Sequence, residues 1–201
     1  MNDASNFRVA VFLSGTGRTL DNLLRRKRKG SFEPEIVAVA SNRAGVRGLE
    51  IAQAASIPTA VFRKSHYEDP RARDRALWEF VHAHGAELVV LAGYLALLDL
   101  EASGGVPVVN IHPSLLPKHG GGGFYGDRVH EAVLAAGDPE SGCTVHRVNA
   151  VFDDGPVLAQ KSVPVHPDDD VHRLARRVFE AECELYPETI RRIARGEIAL
   201  D

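Results

Sequence analysis

The sequence predicts an α/β fold: a mostly parallel sheet with helices on both faces, to which the C-terminal half adds an antiparallel strand pair. Three observations predict it. Four strand-then-helix units fall within the first hundred residues, which calls for parallel strands with right-handed crossovers. The strand runs are apolar throughout, as in Val9 to Leu13 and Leu88 to Ala92, the pattern of strands covered on both faces. Two β-rich runs late in the chain are separated only by a turn holding Asp153-Asp154-Gly155-Pro156, the signature of an antiparallel pair. The architecture is Rossmann-like, and on such sheets ligands sit beyond the carboxyl ends of the strands.

The elements follow in order. Phe7 to Ser14 is a buried strand ended by glycine, and Thr19 to Lys29 is a helix with Leu20, Leu23 and Leu24 on one face. Glu35 to Ser41 is a second strand, Gly48 to Ala55 a helix, and Thr59 to Phe62 a short third strand. A helix from Pro70 to His84 carries Leu77, Phe80 and Val81 on its apolar side. Glu87 to Leu91 and Val106 to Ile111 are the fourth and fifth strands. In the second half, a helix around His130 to Ala136 precedes the paired runs Cys143 to Asn149 and Pro156 to Val165. Asp168 to Asp170 offer caps for a closing helix, and Tyr186-Pro187 marks a break before a final one.

Composition narrows the function. With 201 residues, 44% hydrophobic and 25% charged, the chain has an ordinary soluble balance and enough length for a core without staples. A net charge of −3 provides no basic excess to hold a phosphate backbone, so nucleic acid is not expected as a partner. Cys143 and Cys183 fall in separate elements without metal-knuckle spacing and read as reduced thiols. The N-terminus lacks a basic leader region, and no run approaches the ~18 apolar residues that cross a bilayer. A cytoplasmic protein with no membrane partner is expected.

Three stretches can carry chemistry. Ser14-Gly15-Thr16-Gly17-Arg18-Thr19 joins the first strand to the first helix. It is either a tight turn without a ligand or a phosphate site at a helix N-terminus, with Arg18 as an added cation. It lacks the GKS/T ending of a P-loop, and Leu20 replaces the third glycine of a dinucleotide fingerprint. Asn110 and His112, two apart at a strand end, present both side chains on one face before Pro113. They are either a capping amide and a structural histidine, or a pair that serves an acyl carbon, the amide holding a carbonyl oxygen and the imidazole managing a proton. Asp153 and Asp154 are either turn residues, or one of them faces His112 and raises its pKa. His119, His130 and His146 have no fixed ligand spacing, so no metal is expected; His130 and His146 read as structural.

Asn110 to Pro117 (NIHPSLLP), preceded by LVVLAGY and followed by GCTVHRVN, FDDGPVLAQ and ECELYP, resembles the phosphoribosylglycinamide formyltransferase family over nearly the whole chain. The resemblance implies the formyltransferase fold in a single domain, 1–201, with residues 1–105 as the nucleotide- and phosphate-binding half and 106–201 as the folate-binding and catalytic half. It implies transfer of a formyl group from 10-formyltetrahydrofolate, a co-substrate, to the amine of glycinamide ribonucleotide in purine biosynthesis. Asn110 would bind the formyl oxygen, His112 would be the general acid, and Asp153 would raise the histidine pKa and order a proton-relaying water. Thr16, Gly17, Arg18 and Thr19 would hold the substrate phosphate, and Glu182 the ribose hydroxyls. Leu95, Ala96, Leu97 and Leu98 would grip the pterin, with Arg71 as a further folate-side group.

Partners would be small molecules, and the assembly a monomer or homodimer. Two departures stand out: Arg18-Thr19 replace the small and Asn residues usual in that loop, and Ala96 stands where arginine is frequent. The glycine-rich loop Gly120 to Gly123 suits a lid over the folate site. A transfer-RNA formyltransferase is expected to carry a further C-terminal domain, and a formyltetrahydrofolate hydrolase an N-terminal one. The alternatives are a formyltransferase for another small amine, such as a sugar nucleotide, and a non-catalytic folate-binding module.

Overall fold

The computed structural model describes residues 4–200. Its seven strands form one sheet in the order β3-β2-β1-β4-β5-β6-β7. The chain divides into two compact units, Met1–Val109 with Arg191–Asp201, and Asn110–Ile190.

In the first unit, β1 (Arg8–Leu13) pairs in parallel with β2 (Glu35–Ser41) on one side and β4 (Leu88–Leu91) on the other, and β3 (Thr59–Val61) extends β2. Val9 to Leu13 are wholly buried, which is why their sequence shows no alternation. The helix α1 (Arg18–Arg28) buries Leu20, Leu23 and Leu24, and α2 (Arg47–Ala54) buries Leu49 and Ala52. The third helix, α3 (Pro70–Ala83), starts where Asp69 accepts a hydrogen bond from the Ala72 N–H at 2.7 Å, with Pro70 in the first helical position. Trp78 and Tyr94 both pack on Phe12, at ring-centroid distances of 6.2 and 5.5 Å. Each such buried aromatic contributes roughly 2–3 kcal/mol.

The second unit holds the end of β5 (Val108–His112), α4 (Asp127–Ala136) and the antiparallel pair β6 (Glu140–Arg147) and β7 (Val157–Pro164). β6 starts three residues earlier than the apolar run suggests. Polar Glu140, Ser141 and Gly142 pair with Pro164, Val163 and Ser162, and a Cβ on Gly142 would overlap the Lys161 carbonyl oxygen, so the pairing itself demands glycine there.

The predicted break at Tyr186-Pro187 does not occur: α5 runs unbroken over Val171–Ala194 with Pro187 inside it. The proline forfeits one backbone bond and crowds the preceding turn, at about 3 kcal/mol. Leu174, Val178, Tyr186 and Ile190 are each 0–1% exposed, and at roughly 1.5–3 kcal/mol per large apolar side chain their burial outweighs that loss. The helix end also departs from the predicted division at residue 105. Arg191 and Arg195 both reach Glu33 at 2.6 Å and place the C-terminal residues with the first unit. The Arg191 hydrogen bond, aided by Arg195, holds the Glu33 carboxyl down at about 2.

Candidate active site

The strand β5 delivers Asn110 and His112 to one face, two residues apart, and the turn between β6 and β7 brings a carboxylate to meet them. That carboxylate is Asp153: its Oδ2 lies 3.3 Å from His112 Nδ1, with the two side chains 10% and 4% exposed. Asp154 is exposed, and its carboxylate accepts from the Asn149 amide at 3.4 Å. The choice the sequence left open is thus made by the turn. Asp153 adopts φ 56°, a left-handed conformation that aspartate tolerates better than most residues.

Asp153 gathers more than His112. Its Oδ2 accepts the Gly121 N–H at 3.0 Å, and its Oδ1 lies 3.5 Å from both Asn110 Nδ2 and His146 Nε2. Burial would raise the Asp153 carboxyl, but its neighbours His146 and His112 and the Gly121 N–H together hold it below the usual range. For His112 the balance runs the other way from the sequence-based expectation. Burial lowers its pKa, and the opposing pull of Asp153 and of the His119 carbonyl does not restore it. Its Nε2–H donates to that carbonyl at 2.8 Å, so in the neutral ring Nδ1 is the open position facing Asp153.

His146, which read as structural, belongs to this cluster. Its Nδ1–H donates to the Arg147 carbonyl at 3.0 Å, which fixes the tautomer and leaves Nε2 to accept from the Asn110 amide at 3.1 Å. Among the described residues, the second Asn110 N–H has only the long contact to Asp153. The signal was the two-residue period of β6: Thr144 and His146 share a face. Thr144 Oγ1 donates to the Ser114 carbonyl at 2.6 Å and receives the Leu116 N–H and the Gln160 amide, so the stretch after His112 is held by a fully bonded buried hydroxyl.

The glycine-rich stretch is anchored at its start rather than loose. The His119 carbonyl and the Gly121 N–H bond His112 and Asp153, and the His119 ring meets Asp138 at 2.7 Å.

In the first unit, Gly17 caps α1 at φ 71° and Arg18 is its first residue. Thr16 and Arg18 are exposed, Gly17 is buried and Thr19 half-buried. A Cβ on Gly17 would lie 2.5 Å from Gly48 Cα, and the Gly48 N–H donates to the Gly15 carbonyl at 3.0 Å, so the loop rests directly on the start of α2. Ser14 links it to the segment after β4: its N–H donates to the Gly93 carbonyl at 3.1 Å, and its Oγ accepts the Leu95 N–H at 3.0 Å.

Leu95 and Leu97 are 45% and 48% exposed, while Ala96 and Leu98 are half-buried. Arg71 is exposed at the start of α3 and, among the described residues, makes no hydrogen bond to this segment. The arginine that does bond it is Arg73, 7% exposed, which donates to the Leu97 carbonyl at 2.8 Å and pairs with Asp74 at 2.6 Å. Asp74 accepts the Asp99 N–H at 2.8 Å, and Trp78 donates to the Asp99 carbonyl at 2.8 Å. Asp74→Asn is therefore expected to lower stability by roughly 2 kcal/mol, because the buried Arg73 loses its counter-charge. An unchanged denaturant midpoint would contradict this. Glu182 lies half-buried in α5 of the second unit. There its charge adds to the burial that pushes the Cys143 thiol up to about 12.

The family model for formyl transferases matches residues 7–190. The chain belongs to the formyl transferase family. Among its relatives, the phosphoribosylglycinamide formyltransferase of Haemophilus influenzae is 34% identical over 96% of this chain and 90% of its own length. The trifunctional purine biosynthetic protein adenosine-3 of Bos taurus is 39% identical over 96% of this formyl transferase, which spans only 19% of the length of that relative. In fold, the glycinamide ribonucleotide transformylase 1 of Symbiobacterium toebii superposes with a TM-score of 0.89 at 36% identity, covering 98% of this chain and 92% of that one.

Proposed function

We propose that this chain transfers the formyl group of 10-formyltetrahydrofolate to the amine of glycinamide ribonucleotide. The observation that carries the proposal is the convergence of Asn110, His112 and Asp153, with the carboxylate 3.3 Å from the imidazole, in a formyl transferase whose relatives of similar length bear that activity in their names. The neutral amine attacks the formyl carbon, and the carbonyl oxygen gathers charge as the new C–N bond forms. The Asn110 N–H meets that oxygen. His112, neutral at rest because burial lowers its pKa, receives the amine's proton at Nδ1, where Asp153 stabilises the resulting imidazolium. The same proton then passes to the departing folate nitrogen as the old C–N bond breaks.

The loop at Thr16 to Thr19 takes the substrate phosphate, with backbone N–H groups at the start of α1 and the Arg18 guanidinium as donors. Glu182 takes the ribose hydroxyls, and Leu95 to Leu98 the pterin. The folate-side cation is assigned to Arg73 rather than to Arg71, since Arg73 fixes the Leu97 carbonyl. These substrates are small soluble molecules, and the setting proposed is the cytoplasm, as a monomer or homodimer. The direct test is formyl transfer from 10-formyltetrahydrofolate to glycinamide ribonucleotide, followed by absorbance. Saturable turnover is expected, and none would sink the assignment. The exposed Arg18 favours one second reading, another phosphorylated small amine as acceptor. A panel of such amines in the same assay decides between them by kcat/KM.

The proton path sets a pH dependence. A ring already protonated cannot receive the amine's proton, so kcat/KM is expected to fall on the acid side with an apparent midpoint below the ordinary 6.5, belonging to the His112–Asp153 pair. Asp153→Asn removes the group that raises the imidazole pKa and should move that midpoint lower still. A rate that climbs as pH falls through 6.5 would refute the path. Linkage has the same sign. Below 6.5 the unfolded histidine binds a proton that the native one refuses, so stability declines as pH drops through that window.

A further inference from the structure

Five consecutive cations, Arg25-Arg26-Lys27-Arg28-Lys29, close α1, on a chain whose net charge is −3. Several cations elsewhere meet carboxylates: Arg73 meets Asp74, Arg177 meets Asp169, Lys118 meets Asp138, and Arg191 and Arg195 meet Glu33. At the C-terminal end of α1, Arg25 pairs with Asp21 at 3.2 Å, while Lys27 turns to the Glu33 and Pro34 carbonyls at 3.2 Å. Among the described residues, no carboxylate pairs with Arg26, Arg28 or Lys29.

Asn22, Arg25, Arg26 and Lys29 are spaced i, i+3, i+4 and i+7 and share one face of the helix. Gly30, at φ 71°, turns the chain back, and Ser31 is pinned there by its N–H and Oγ, which donate to the Arg26 carbonyl at 2.9 and 3.2 Å. These five residues (Asn22, Arg25, Arg26, Lys29 and Ser31) line a hollow of about 290 Å³.

We propose that this hollow binds a short polyphosphate chain, either inorganic or carried by a nucleotide. Its volume sits at the lower edge of small-ligand sites, and its lining supplies three cations. A helix C-terminus carries about half a negative charge, which opposes an anion, but three positive charges outweigh it. No aromatic residue lines the hollow to stack bases, as single-stranded nucleic acid requires, and no apolar residue offers the core of a protein interface. The hollow is separate from the loop at Thr16 to Thr19. Along α1 its lining starts at Asn22, roughly 6 Å past Arg18 at 1.5 Å per residue, and ends at Lys29, roughly 16 Å past it.

The test is calorimetric titration of the whole chain with tripolyphosphate, ATP and inorganic phosphate at low and moderate salt. The proteins are the wild type, the triple variant Arg25→Gln/Arg26→Gln/Lys29→Gln, and Arg18→Ala. Glutamine keeps helix propensity, so the triple variant folds and its formyl-transfer rate is expected to match the wild type. Tripolyphosphate should bind the hollow of the wild type and of Arg18→Ala with equal affinity, bind there at least tenfold more weakly in the triple variant, and bind more weakly as salt rises. Tighter binding of ATP would identify a nucleotide as the source, and equal binding the phosphate chain alone. The proposal fails if the triple variant binds as the wild type does, if Arg18→Ala abolishes binding, or if no saturable binding occurs. None of these outcomes depends on whether formyl transfer is observed.

Discussion

His112→Ala is expected to reduce kcat for formyl transfer by about a thousandfold while leaving folate affinity within about threefold of the wild type. The imidazole is almost wholly buried and spends its nitrogens on two partners: the His119 carbonyl at 2.8 Å and Asp153 at 3.3 Å. In the proposed mechanism its removal takes away the acceptor for the amine's proton. Folate contacts are assigned to Leu95 to Leu98, so the loss should fall on kcat rather than on binding. Steady-state rates with parallel folate titration provide the check. Near-normal turnover would remove His112 from the mechanism, and a matching loss of folate affinity would make it a structural residue instead.

Gly155→Ala should act as strongly through geometry alone. The turn between β6 and β7 folds back so closely that a Cβ at Gly155 would overlap the Arg147 carbonyl oxygen and lie 2.8 Å from its carbon. Neither neighbour is a flexible side-chain tip, so the backbone must shift. The Arg147 N–H to Pro156 carbonyl bond at 2.9 Å, which closes the turn, would be strained or lost. We expect a destabilisation of roughly 3 kcal/mol or more. Because Asp153 stands two residues away, a shift of about 1 Å there should cost about a hundredfold in kcat. Wild-type stability and rate in this variant would mean that the turn relaxes without moving Asp153.

Much of this architecture was legible in the sequence, because its decisive signals are local. Val9 to Leu13 could only be a strand covered on both faces, and the two-residue step from Asn110 to His112 put both side chains on one side. What escaped depended on partners distant in sequence. Glu140 to Gly142 become strand because β7 pairs with them, though nothing in their side chains says so. Pro187 stays inside a helix because large apolar residues on both sides of it are buried. His146 joins the site only through the fold that places it beside Asn110. Arg73 bonds the Leu97 carbonyl, a question of helical phase that a motif match does not answer. The pKa of His112 turns on burial, which no neighbouring residue in the sequence announces.

Under the proposed function, the contact between Gly17 and Gly48 limits how this protein can change its acceptor. With 2.5 Å between a would-be Cβ and the opposing Cα, and Leu13 packed beneath Gly48, neither glycine can gain a side chain alone. With the backbone from Gly15 to Gly17 packed in this way, shifts in the proposed acceptor preference are expected in the side chains around it: Thr16, Arg18 and Thr19. A library confined to those three positions should therefore redirect acceptor choice while leaving the formyl donor's chemistry untouched.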